Sequence, residues 1–306
     1  MIVNHDPREV IRRLTQWAER RNTVRAMLLT STRANPSAPV DVLSDYDVVL
    51  VVEDVRPFFE DRSWLYDFGE VIVAFWDPIC PDPDHGIEQT GNVVQYADGL
   101  KIDFHLWPVA LMRRIALATV LPDELDAGYT VLLNKDRLTG GMRPPTYEAY
   151  VPDRPDEETY LTVVNNFFSD APYVAKYLWR NELLPAKWCL EVEMRHHYLR
   201  PMLEWRMERD RGWSEPTGNL GKGLKKRLPR GIWEELEGTY AGAGIADNWE
   251  ALFRTMALFR RVATEVATDL GHAYPLDLDR RVTAYVREIR NLNLRTTSSY
   301  REQEHK

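Results

Sequence analysis

A chain of 306 residues, 44% hydrophobic and 28% charged, is long enough for two globular units and too apolar to be disordered. Its formal charge of −8 argues against sequence-independent nucleic-acid binding, which needs basic surface, and suits a cationic substrate steered into an acidic cleft. Cys80 and Cys189 form no disulfide framework, no apolar run approaches membrane-spanning length, and the first residues lack the apolar core of a signal peptide, so a cytoplasmic location without membrane contact is expected.

In chain order, residues 6–21 read as an amphipathic helix. Asp6 can cap it, Pro7 suits its first turn, and Val10, Ile11, Leu14 and Trp17 recur at helical spacing. VRAMLLTS (24–31) reads as a buried strand, and TRANPSAPVDVLS as a loop. DYDVVLVVED (45–54) is a second strand, apolar on both faces over its valines. A third strand is expected over 70–76, a loop over 77–86, and a hairpin over 93–108 that turns at Asp98-Gly99. A helix over 109–121 and a short strand over 129–136 complete this half. From residue 156 onward the pattern is helical, over 156–180, 185–210, 220–228, 231–238, 247–270 and 277–291. The fold class is therefore α+β, with a mixed β-sheet and flanking helices over 1–150, an α-helical bundle over 151–292 and a flexible tail over 293–306.

Asp45 and Asp47 stand at the entrance to the valine-rich strand, two residues apart and so on one face. Two carboxylates so close repel each other, and a hard divalent cation such as Mg²⁺ offsets that charge with the oxygen ligands it prefers. Alone, the pair is equally read as a turn cap and an exposed strand start. Asp103 adds a third carboxylate: in LKIDFHLW, alternation puts Ile102, Phe104 and Leu106 on the core face and Asp103 with His105 on the other. Three converging carboxylates suit metal-assisted phosphoryl displacement. Ser31, at the end of the first strand, is placed to meet a triphosphate. GNLGKG (218–223) is no phosphate loop, because its glycine spacing is wrong and neither Ser nor Thr follows Lys222.

A strand ending in Ser, a loop, D-x-D and a later single Asp resemble the DNA-polymerase-β-like nucleotidyltransferase superfamily. The ordered set TSTRANP, SDYDVVLVV, DRSWLYDFGE, DGLKIDFHLWP, YVAKYLWRNELLPAK, GKGLKKRL and WEALFRTMALFRRVATEVA is similar to the aminoglycoside 6-adenylyltransferase (streptomycin adenylyltransferase) family. The resemblance implies transfer of AMP from ATP to a hydroxyl of a cationic aminoglycoside, with streptomycin at its 6-hydroxyl as the acceptor and antibiotic resistance as the outcome. It implies an N-terminal nucleotidyltransferase domain and a helical substrate-binding domain, with the site in the cleft between them, in a monomer or small homo-oligomer. Asp45 and Asp47 would hold Mg²⁺ with the ATP phosphates. Asp103 would be a further ligand or the base. Ser31, Thr30, Arg33 and Lys176 would contact the nucleotide, and Tyr173, Glu182 and Glu191 the acceptor. The family's Gly-Ser is Thr30-Ser31 here, which brings a β-branched side chain to a point where glycine lets backbone approach phosphate.

Overall fold

The computed structural model describes residues 3–292, so the expected tail at 293–306 lies outside the described residues. The chain divides into two compact units between Ala149 and Tyr150.

The first unit opens with α1 (Pro7–Glu19), capped by Asp6, whose carboxylate accepts from the Arg8 amide. Strands β1 (Val24–Thr30) and β2 (Tyr46–Val52) follow, then the short helix α2 (Arg56–Glu60) and a 3₁₀ stretch, Ser63–Phe68. Next come β3 (Val71–Trp76), β4 (Cys80–Pro81), β5 (Glu88–Tyr96) and β6 (Lys101–Pro108). Helices α3 (Val109–Leu117) and α4 (Asp123–Asp126) lead to β7 (Tyr129–Asn134). The sheet runs β3-β5-β6-β2-β1-β7, with β4 paired to β5. Only β2 and β6 pair in parallel; the other described pairings are antiparallel.

Strand alternation builds two cores, one on each face of this sheet. Tyr46, Val48, Leu50 and Val52 join Ile102, Phe104 and Leu106 against α1 and the aromatic residues Phe58, Trp64 and Phe68. Val49, Val51 and Trp107 face the other way, against Leu111, Met112 and Ile115 of α3. The five residues Val48–Val52 are all fully buried, as a strand covered on both faces requires.

The second unit is helical: α5 (Glu157–Trp179), α6 (Leu183–Trp188), a π-helical stretch Cys189–Leu199, α7 (Arg200–Arg209), α8 (Leu224–Arg227), α9 (Arg230–Glu237), α10 (Ile245–Leu270) and α11 (Leu276–Asn291). Its core includes Phe167 of α5 stacked on Phe259 of α10, ring centroids 3.6 Å apart. The helix expected without interruption over 185–210 is instead widened in its middle. Pro201 supplies no amide to the preceding turn, which removes one reason for regular α-helical spacing there. The stretch expected as one helix over 220–228 is a turn, Asn219–Gly221, followed by α8, with Leu220 in the left-handed region at φ 57°. No described helix is long and apolar enough to cross a membrane.

Candidate active site

Register places one row of side chains across the sheet. Thr30 of β1 pairs with Asp47 of β2, Asp47 with Asp103 of β6, and Asp103 with Val93 of β5, which pairs in turn with Phe75 of β3. Cross-strand partners project to the same side, so these five residues share one face. It is the face opposite Tyr46, Ile102 and Phe104, whose burial against α1 fixes which way the row points. Asp45 lies one residue before β2 begins. Beyond Asp103 the row becomes apolar and open, with Phe75 61% and Val93 36% exposed.

Sequence reasoning missed Lys101. It lies two residues before Asp103 on β6, and its Nζ donates to Asp45 Oδ2 and to Asp103 Oδ2, the latter at 2.9 Å. The signal was available, because the strand period that paired Asp103 with His105 also puts Lys101 on that face. Burial, reinforced by the charges of Asp103 and Asp45, pushes the Asp47 carboxyl up to about 6. Burial also raises Asp103, against the pull of Lys101. Burial alone would lower the Lys101 ammonium; its hydrogen bonds to Asp45 and Asp103 outweigh that and raise it.

The oxygen-only donor set fits a hard divalent ion. One oxygen adds to that fit: Asp103 Oδ1 is buried with no hydrogen-bond partner, a polar atom that burial leaves unsatisfied unless a ligand meets it. Among the described residues no three Asp, Glu, His or Cys side chains stand in a ready metal-binding arrangement. Lys101 holds two of the three carboxylates instead.

The predicted phosphate contacts are placed unequally. Ser31 takes a left-handed backbone, φ 60°, and its amide donates to Gly128 O at 2.9 Å. That amide is committed to Gly128, which leaves the hydroxyl as the group Ser31 can offer a ligand. Gly128 permits the close approach: a Cβ there would lie 3.2 Å from the Ala34 backbone. Thr30 is only 1% exposed, with its hydroxyl 3.4 Å from Asp47 O. It closes the β1 end of the row, and its covered side chain shows a ligand no surface in this structure. Arg33 clamps the segment that leads into β2. It donates to Asp45 O at 2.9 Å and Ser44 O at 2.7 Å and stacks 3.8 Å over the Tyr46 ring, so it positions the backbone that carries Asp45.

The other predicted residues belong to the helical unit. Lys176 and Tyr173 lie together on α5, the ammonium 5.6 Å from the Tyr173 ring centroid and 5.9 Å from that of Tyr285. Tyr173 is exposed. Glu182 stands at the residue before α6, makes no side-chain capping bond, and is exposed. Glu191 is held by Lys187 of α6 and lies 3.9 Å from Arg195 of the π-helical stretch.

The three carboxylates thus stand together at a parallel strand pair of a mixed sheet. The family model for streptomycin adenylyltransferase matches residues 5–289, and the chain belongs to that family of nucleotidyltransferase enzymes. An aminoglycoside 6-adenylyltransferase of Bacillus subtilis (strain 168) is 31% identical over 270 residues, 87% of this chain and 91% of that protein. Another, from Campylobacter jejuni, is 29% identical over 285 residues, 91% of this chain and 94% of that protein. A crystal structure of an aminoglycoside 6-adenyltransferase from Bacillus subtilis is 26% identical, with a TM-score of 0.47, over 94% of this chain and 100% of that one.

Proposed function

We propose that the protein transfers AMP from Mg²⁺-bound ATP to a hydroxyl of a cationic aminoglycoside, with streptomycin at its 6-hydroxyl as the expected acceptor. The acceptor oxygen bonds to the α-phosphorus, the bond to the bridging oxygen breaks, and pyrophosphate leaves. The single observation that carries this reading is the in-register pairing of Asp47 with Asp103 on one sheet face, with Asp45 alongside.

In this mechanism Asp45 and Asp47 would hold Mg²⁺, which would supply positive charge against the phosphates of the nucleotide. The Ser31 hydroxyl is proposed for the triphosphate and Lys176 for the same nucleotide. Asp103 takes the proton of the attacking hydroxyl through the oxygen that Lys101 does not hold. The exposed Phe75 and Val93, next in the row, offer apolar surface to the ring of an acceptor whose cationic groups the acidic chain attracts. Tyr173, Glu182 and Glu191 are proposed acceptor contacts in the helical unit. ATP as donor and two free cysteines suit the cytoplasm.

Asp103→Asn tests the assignment, since Asn keeps the shape and cannot accept the proton. Calorimetry of Mg·ATP binding beside turnover should show affinity within about threefold of wild type and a rate lower by a factor of ~10² to 10⁴. Loss of both would make Asp103 a metal ligand rather than the base. Near wild-type turnover would remove it from the chemistry.

A further inference from the structure

Three carboxylates at one corner of a sheet repel one another, and the folded chain must balance them. Lys101 does so for two of the three. It reaches them from inside the row, two residues along the strand from Asp103, and its side chain is 28% exposed. A lysine ammonium is a compact charge on a flexible four-carbon stem, able to swing away without moving backbone. Its partners are the same carboxylates that the proposed function assigns to the divalent ion and to the proton transfer.

We propose that Lys101 is a resident counter-cation of this site, holding Asp45 and Asp103 until a divalent ion takes the Asp45 carboxylate from its ammonium. The inference rests on the reading of Asp45, Asp47 and Asp103 as a cation–nucleotide site and adds competition between a side chain and the metal for the same oxygens. It has two consequences of opposite sign. Removing the ammonium leaves the carboxylates unbalanced and weakens the fold when divalent ions are withheld. The same removal frees the oxygens and strengthens metal binding. A lysine that served only the fold would give the first effect without the second, and a lysine that helped hold the metal's ligands in place would give weaker metal binding.

The experiment compares wild type, Lys101→Met, Lys101→Arg and Asp47→Asn, with Mn²⁺ alone as the probe and nucleotide omitted. Free Mn²⁺ is followed by electron paramagnetic resonance, and melting temperature is recorded in EDTA and in saturating Mn²⁺. Lys101→Met is expected to bind Mn²⁺ about tenfold more tightly than wild type, the scale of one partly buried ion-pair contact. It should melt below wild type in EDTA and close that gap in Mn²⁺. Lys101→Arg keeps the charge and should stay near wild type in Mn²⁺ affinity. If Lys101→Met binds Mn²⁺ equally or more weakly while Asp47→Asn abolishes binding, the competition is overturned and the site reading stands. If Asp47→Asn binds Mn²⁺ as wild type does, the site reading itself fails and the competition falls with it. Should Lys101→Met not fold, Lys101→Gln takes its place in the same comparison.

Discussion

Asp47 carries the sharpest conflict between folding and chemistry. Its strand neighbours Tyr46 and Val48 are buried, so the backbone has no freedom to lift the carboxylate into water, and Asp103 stands opposite. The result is a carboxyl near 6 against an ordinary 3.8. A carboxyl raised in the folded chain holds its proton more tightly there than in the unfolded one. Above pH ~6 it therefore subtracts from stability, and the loss is recovered as pH falls toward 4. Asp47→Asn should accordingly stabilise the protein at pH 7.5 without divalent ions by about 1–2 kcal/mol, after allowance for solvent screening. The difference should vanish near pH 4, while Mg·ATP binding is lost. Chemical unfolding at the two pH values checks this, and equal stability at pH 7.5 would show that the repulsion is relieved elsewhere.

At the scale of elements, the end of β1 shows what the Thr30-Ser31 pair does to the backbone. The family's glycine marks a point where backbone can approach phosphate, and Thr30 brings a β-branched side chain there. Yet Thr30 is extended, φ −129°, and the left-handed residue is Ser31. Thr30 is tolerated because extended backbone accepts any residue, and its side chain is covered at the end of the row beside Asp47. Thr30→Gly should therefore cost about 1 kcal/mol or more through strand entropy and lost packing. It should not tighten ATP binding, and calorimetry showing a large gain would restore the view that Thr30 blocks the phosphates. Other elements were legible because their signals are local. The Asp6 cap and Pro7 place α1, valine runs place β2, and alternation assigns the faces of β6. Non-local features were not: Arg33 reaching the carbonyls of Ser44 and Asp45 and Lys101 reaching Asp45 depend on how separate segments pack. The pairing of Cys80 with Gln89, in a segment expected to be loop, is of the same kind.

For the whole molecule, composition separated a mixed sheet from an all-helical remainder, because the change from period two to period 3.6 is written along the chain. The carboxylates were legible as residues. That Asp47 and Asp103 would lie directly opposite needed the parallel pairing of β2 with β6, which strand patterns leave open. Family membership then brings a reaction class, and the acceptor is the point on which the account stands or falls. The most direct test incubates the protein with ATP, Mg²⁺ and streptomycin, beside a panel of other aminoglycosides, and follows drug mass. The account predicts a streptomycin product heavier by one adenylyl group, released with pyrophosphate, and no product when EDTA is present. Unchanged streptomycin alongside an adenylylated acceptor of another kind would contradict the acceptor, and no adenylylated product from any aminoglycoside would contradict the proposed function itself.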